Sequence, residues 1–243
     1  MNISFKEKKV LITGATRGIG KAIALEYSKL GALVVITGTK GNKPIDLESS
    51  ILYEQLEISK NLNWKQKIIE IINKYDGFDI CINNAGINKV NNIYETKTSD
   101  IDDVLLVNLN APIFIASEIS KKMVKNRSGY IINIASIFGI VSKKGRNPYT
   151  ATKSGLIGVT KTMAIDLGEH NILVNSVSPG FVDTELTRKV LGEKGMNEMK
   201  DKVPMKKLAN VKDIVPSIIF LTSKYNTYIT GQNIIVDGGF TCE

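Results

Sequence analysis

Thr13-Gly14-Ala15-Thr16-Arg17-Gly18-Ile19-Gly20 is the stretch whose reading decides the fold of this chain. It follows an apolar run, Lys9 to Thr13, that reads as a buried strand. It opens a run, Ile19 to Leu30, that reads as a helix ending at Gly31. A glycine cluster alone marks a turn. Between a first strand and a first helix, the glycines acquire separate tasks. Gly14 permits the tight turn, Gly18 lets backbone approach a pyrophosphate, and Gly20 lets the helix pack closely on the strand. The helix N-terminus then offers unpaired N–H groups to phosphates. The reading is dinucleotide binding, with three residues rather than one between the first two glycines.

Working outward, strands and helices alternate to the end of the chain. Leu33 to Thr37 reads as the second strand and Leu52 to Ile58 as a shorter apolar stretch, followed by a helix from Trp64 to Tyr75 and a strand from Phe78 to Asn83. A single helix from about Ile101 to Lys125 precedes a strand from Gly129 to Ser136. A helix containing Tyr149 runs to Gly168, the strand Ile172 to Ser178 follows, then the helix Val211 to Leu221 and a closing strand Gly231 to Val236. This alternation predicts one α/β domain over residues 1–243, a doubly wound parallel sheet with helices on both faces. Gly38 to Ser50, with Gly41 and Pro44, leaves room only for a short turn or stub helix. Phe181 to Pro204 is polar, carries Gly192 and Gly195, and reads as a mobile substrate-binding loop.

Composition narrows the function classes. The chain has 243 residues, 43% of them hydrophobic, and no run of apolar residues long enough to predict a membrane span. Its charged N-terminus runs straight into a strand, which argues against a signal peptide. Two cysteines, Cys81 and Cys242, predict a disulfide-free cytoplasmic protein, and a single histidine argues against a zinc site. The net charge of +8 is scattered along the chain without a nucleic-acid-binding motif. It reads as solvated surface, with a preference for anionic small molecules or an acidic partner as the alternative.

Tyr149 and Lys153 lie four residues apart on one helix face, with Ser136 thirteen residues before the tyrosine. A phenol titrates near pH ~10, and a neighbouring ammonium lowers that value. Asn147-Pro148 reads as N-cap and first helical residue, placing the tyrosine near the positive helix end. Ser136 could hold a carbonyl oxygen beside this acid. The layout suits protonation or deprotonation of a C–O group, although a chain with eight tyrosines could carry the spacing by chance.

The glycine turn, Asn83-Asn84-Ala85-Gly86, Asn108, Ser136, Tyr149/Lys153, Pro179-Gly180 and the ending Ile229 to Gly239 occur in the order and at the separations of the short-chain dehydrogenase/reductase family. The chain resembles that family over essentially its whole length. The resemblance implies a Rossmann-type fold, a nicotinamide cofactor and a homotetramer. It implies that Tyr149 is the general acid/base and that Lys153 lowers the Tyr149 pKa and binds the nicotinamide ribose. It likewise implies that Ser136 polarises the carbonyl and that Asn108 kinks a helix and holds a relay water. The turn residues Gly14, Thr16, Arg17, Gly18, Ile19 and Gly20 would hold the pyrophosphate, and Asn84, Ala85 and Gly86 the adenine ribose. Pro179, Gly180, Val182 and Thr184 would meet the nicotinamide end. Glu57-Ile58 stands where the family usually has Asp-Val near the adenine.

In this family an NAD-dependent member usually carries an Asp at the end of the second strand. Gly38 stands there, followed by Thr39 and Lys40, and Arg17 could reach a 2′-phosphate, so NADP(H) is favoured over NAD(H). The 3-oxoacyl-(acyl carrier protein) reductase branch looks nearest, and an acidic carrier would suit a basic enzyme. Arg127 matches one of its two carrier-facing basic positions, while His170 replaces the other. Lys143, Lys144 and Arg146 precede the tyrosine and suggest a second reading, a sugar, polyol or nucleotide-sugar oxidoreductase. A non-catalytic dinucleotide-binding regulator is a third.

Overall fold

The computed structural model describes residues 2–242. Seven strands form one wholly parallel sheet: β1 (Lys9–Ile12), β2 (Leu33–Gly38), β3 (Leu52–Gln55), β4 (Ile80–Asn83), β5 (Gly129–Ile134), β6 (Ile172–Pro179) and β7 (Asn233–Val236). Their order is β3-β2-β1-β4-β5-β6-β7, so the winding reverses between β1 and β4. In such sheets ligands bind beyond the carboxyl ends of the strands at the point of reversal. Around the sheet lie α1 (Gly18–Lys29), α2 (Trp64–Lys74), α3 (Thr98–Leu105), α4 (Ala111–Asn126), α5 (Asn147–Gly168), α6 (Glu185–Lys202) and α7 (Val211–Leu221).

The two-residue period of the strands divides the core into two layers. Val10, Ile12, Val34, Ile36, Ile80, Ile82 and Ile132 point to the side of α1 and α7, where they meet Ile23, Tyr27, Ile214 and Ile218. Leu11, Val35, Cys81 and Ile131 point to the other side, against Ile68 and Ile71 of α2 and Ile115 and Ile119 of α4. Each fully buried side chain of this size stabilises the fold by about 1.5–3 kcal/mol. Slipping one strand by one residue would send its apolar set to the wrong layer, so the pattern also sets the register, with Leu11 opposite Val35 and Cys81.

Three expectations need correction. The helix expected from Ile101 to Lys125 is α3 and α4 joined by a π-helical turn, Leu106–Asn110, centred on Asn108. Thr98–Asn126 as a whole is long and apolar enough by length and composition to cross a bilayer, but Ile115, Ile119 and Met123 are committed to the core. The stretch expected as a loop from Phe181 to Pro204 is mostly helix α6, broken at Gly192, where φ is 64° and ψ 175°. Thr184 caps it by accepting from Thr187 N at 3.2 Å, and Met199 and Val203, one turn apart, pack with Phe138 and Phe181. Its glycines and polar residues hid that contact. Helix α5 begins at Asn147, with Arg146 rather than Asn147 as its N-cap, so Asn147-Pro148 opens the first turn.

Residues 39–51 form no helix, as the short spacing predicts. The Lys43 ammonium organises the turn by donating to the carbonyls of Glu48 and Ile51 at 2.5 and 2.6 Å.

Candidate active site

The glycine turn leaves β1 at its carboxyl end and is held from below by its neighbours. Gly14 N donates to Thr37 Oγ1 at 3.2 Å, and the Asn84 side chain donates to the carbonyls of Thr13 and Gly14 at 2.9 and 3.0 Å. Thr13 Oγ1 accepts from the backbone N–H groups of Asn84 and Ala85, both at 3.1 Å. Gly14 has φ +62°, and a Cβ there would lie 2.8 Å from Ala85 Cα. A Cβ on Gly20 would lie 2.5 Å from Asn84 Nδ2 and 2.8 Å from Ala15 Cα. Gly18 is different, because its imagined Cβ meets nothing closer than Thr184 Cγ2 at 3.8 Å. Gly14 and Gly20 are thus packing glycines, whereas Gly18 leaves open space over its backbone. With no acidic residue in the first turn of α1, this cradle fits a pyrophosphate.

The opposite wall is built from side chains. The Asn108 amide is fully buried; its Oδ1 accepts from Ile87 N and its Nδ2 donates to Ile87 O, both at 2.8 Å. Nδ2 also reaches Thr152 Oγ1 of α5 at 3.4 Å. This clamp explains the π-helical turn: the helix widens where a side chain serves a neighbouring loop. Lys153, 4% exposed, donates to Ile134 O at 2.7 Å, and its Nζ lies 5.6 Å from the centre of the Tyr149 ring. Ser136 Oγ accepts from Phe138 N at 3.1 Å, which leaves its O–H free to donate. A buried ladder sets the height of α5 on the sheet: Asn83 donates to Asn133, and Asn133 to Thr160, each at 2.9 Å. Losing one partner of such a pair costs about 1–3 kcal/mol.

Electrostatics here depart from the simple expectation of a tyrosine acidified by its lysine. Burial pushes the Tyr149 phenol above its ordinary value, and the Ser136 hydroxyl and the Arg146 charge only partly oppose the rise. Burial also brings the Lys153 ammonium down to about 8. Arg146, the N-cap three residues before the tyrosine, contributes charge that draws the Tyr149 phenol down.

The structure gathers Gly14, Thr16, Gly18, Asn84, Ala85, Gly86, Asn108, Ser136, Tyr149, Lys153, Pro179, Gly180 and Thr184 at the carboxyl ends of β1, β4, β5 and β6. A Cβ on Gly86 would sit 3.5 Å from Asn108 Oδ1 and 3.8 Å from Lys153 Nζ, which ties the two walls together. Gly180 is pressed against Asp237, 2.7 Å from its imagined Cβ, and the buried Val182 pairs with Ala209. At the end of β2, a Cβ on Gly38 would strike Thr16 Cγ2 and lie 3.1 Å from the Tyr53 ring, so the position has no room for an acid unless both side chains shift. Thr39, Lys40 and Arg17 are exposed around it, and Tyr53 donates to the Lys40 carbonyl. Glu57 is exposed beyond β3, while Ile58 packs against the core.

Arg127 and His170 lie at the other end of the sheet, just before β5 and β6, and the Arg127 guanidinium donates to Glu169 O at 2.6 Å. Sequence reasoning missed the roles of Thr13, Tyr53, Ile87, Phe138 and Thr152. Of these, only Thr13, inside the glycine motif, carried a local signal.

Residues 14–241 match a family model described as enoyl-(acyl carrier protein) reductase. The 3-oxoacyl-[acyl-carrier-protein] reductase FabG of Aquifex aeolicus (strain VF5) is 36% identical over 247 residues, covering 98% of this chain and 99% of that protein. Among solved structures, ElxO with NADP bound is 33% identical with a TM-score of 0.89, covering 97% of this chain and 99% of that one. A 4-hydroxyisoleucine dehydrogenase complexed with NADH is 30% identical with a TM-score of 0.86, covering 98% and 100%. The chain belongs to the short-chain dehydrogenase/reductase family, and it is an oxidoreductase of that family with a Rossmann-type fold.

Proposed function

We propose that this protein is an NADP(H)-dependent reductase that interconverts a ketone and a secondary alcohol on 3-oxoacyl thioesters. The observation that carries the reading is the convergence of Ser136, Tyr149, Lys153 and the clamped Asn108 opposite an open glycine turn. The turn Gly14–Gly20 would hold the pyrophosphate of a nicotinamide cofactor, which when bound in its reduced form would supply hydride to a carbonyl carbon. Ser136 O–H donates to the carbonyl oxygen and orients it, an oxyanion-type contact made before charge develops. Tyr149 delivers the proton to that oxygen. A phenol whose pKa burial has raised is fully protonated at neutral pH, the form that reduction requires. Lys153, anchored through Ile134 O, reaches toward the ribose hydroxyls, and Asn108 holds α3, α4 and α5 in place around the proton path.

NADP(H) is favoured because Gly38 excludes the acid that would repel a 2′-phosphate, while Arg17 and Lys40 stand exposed beside it. Similarity to a 3-oxoacyl-[acyl-carrier-protein] reductase supports the substrate class. Docking of an acidic carrier on Arg127 and His170 is less well supported, since Arg127 already serves the Glu169 carbonyl. A cytoplasmic location belongs to the same reading and agrees with two free cysteines. So does a homotetramer: Ile165, 79% exposed, lines a depression of about 680 Å³ between α5 and β7 that would offer apolar surface to a second copy.

The test is steady-state turnover, followed by nicotinamide absorbance, with acetoacetyl-CoA and an acetoacetyl-carrier substrate against keto-sugars, each with NADPH and NADH. Reduction of the thioesters with NADPH is expected. Absence of turnover on both thioesters would overturn the substrate assignment, and a preference for NADH would overturn the cofactor assignment.

A further inference from the structure

We propose that Arg146 anchors an anionic group of the substrate, so that the same pocket reduces short-chain oxo acids as free carboxylates. Only 6% of Arg146 is exposed, yet among the described residues its guanidinium makes no hydrogen bond and no ion pair, and its Nε is buried without a partner. Its one favourable contact is with a ring: Cζ lies 5.5 Å from the centre of Phe138, which packs edge-on against Tyr149 with ring centres 6.4 Å apart. A cation over a ring recovers only part of what is lost when a guanidinium is buried without a counter-charge. An anion arriving at the accessible edge of the guanidinium would supply the counter-charge that this site lacks.

The surroundings share that sign. Lys143, on the turn before Arg146, is held below its ordinary pKa by burial, by Arg146 and by Lys202 at the end of α6. Glu198, exposed on α6, is the acid that partly offsets them. On the other side, the loop after β4 runs alongside Arg146 through Asn91, and it carries the other unpartnered buried polar atom among the described residues, Asn88 Oδ1. Beyond Phe138, the rings of Phe181 and Phe240 continue the apolar surface edge to face, with ring centres 6.0 and 5.1 Å apart. A carboxylate at Arg146 with its ketone at Ser136 and Tyr149 fits this sequence of surfaces, and a planar fork suits a carboxylate better than a point charge does.

The proposal rests on the reading of Tyr149 as proton donor. The ketone carbon gains hydride from the reduced nicotinamide, which becomes oxidised. The carbonyl electron pair moves to oxygen, which takes the Tyr149 proton, and the carboxylate is unchanged. Product is the hydroxy acid.

The probes are acetoacetate and levulinate against their methyl esters, with NADPH, for the wild type, Arg146→Gln and Arg146→Lys. A charge-assisted contact contributes about 1.5–3 kcal/mol, which is tenfold or more in affinity. The wild type is expected to show a KM at least about tenfold lower for one of the acids than for its ester. Arg146→Gln should remove that difference, with acid kcat/KM falling at least about tenfold further than ester kcat/KM, and Arg146→Lys should restore part of it. Equal losses on acid and ester would overturn the proposal. Thermal protection by malonate gives a readout independent of turnover. Protection present in the wild type and lost in Arg146→Gln supports the anion site even if no ketone is reduced, which would instead sink the role of Tyr149. Equal protection of both proteins, or none of the wild type, overturns the anion site.

Discussion

The turn from Gly14 to Gly20 and the face of α5 from Arg146 to Lys153 border the same end of the sheet, and they are built from opposite materials. At the turn, missing side chains make the site: Gly14 and Gly20 lack room for a Cβ, and Gly18 leaves its backbone uncovered. On α5, burial makes the site: Arg146, Lys153 and the Asn108 amide beside them are polar groups almost wholly removed from water. The first surface is shaped by packing, and its substitutions should act on stability. The second is shaped by desolvation, which moves pKa values and leaves donors waiting, and its substitutions should act on chemistry.

The sharpest way to break this contrast is Tyr149→Phe. Loss of a positioned proton donor should lower kcat by about 10²–10⁴-fold. The melting temperature and cofactor binding should be nearly unchanged; a large loss of stability would mean that Tyr149 is chiefly a packing residue.

Lys153 probes desolvation directly. Its pKa falls from 10.5 unfolded to about 8 folded, so the unfolded chain binds more protons between those values. The burial penalty is therefore present in full below pH ~8 and is relieved as pH rises toward ~10.5, on the order of 3 kcal/mol in all. Melting temperatures of the wild type relative to Lys153→Met should rise from pH 8 to pH 10. A constant difference across that range would show that Lys153 is not strained by burial.

Gly20→Ala tests the packing side. The new Cβ meets Asn84 and the backbone of Ala15, and such overpacking costs about 1–3 kcal/mol. Gly18→Ala meets open space and should cost only the left-handed backbone penalty, about 1–2 kcal/mol, while weakening cofactor binding more than Gly20→Ala does per unit of stability lost. Denaturant melts with and without NADP separate the two effects. The smallest change is expected from Arg17→Ala, an exposed side chain on the backbone-built wall. It should raise KM for NADPH by roughly tenfold, the equivalent of one charge-assisted contact, with little change for NADH. Equal changes with both cofactors would remove Arg17 from cofactor choice.

Much of the fold was legible because strand and helix periods differ and because the glycines stand between the first strand and first helix. Val211–Leu221 is a helix with the bounds that its pattern suggests. Helix α6 was not legible, because its apolar contacts, Met199 and Val203, are few and lie among glycines and charges; Phe138 and Phe181 give them a surface to fold against. The π-helical turn at Asn108 was equally hidden. Nothing within Leu106–Asn110 requires it, and it exists to serve Ile87 on another loop.

The sequence by itself determined the parallel sheet, because strand and helix periods differ, and it placed the glycine turn after the first strand, while the grouping of Asn108 with Ser136, Tyr149 and Lys153 came from the resemblance to the family. Tertiary structure alone decided that Gly38 has no room for an acid, that burial outweighs charge at Tyr149, and that Arg146 is enclosed without a partner. Each of those is a property of what surrounds a residue: Thr16 and Tyr53 from separate segments, the apolar shell around α5, and the ring of Phe138. Desolvation and steric exclusion arise only when distant parts of the chain come together.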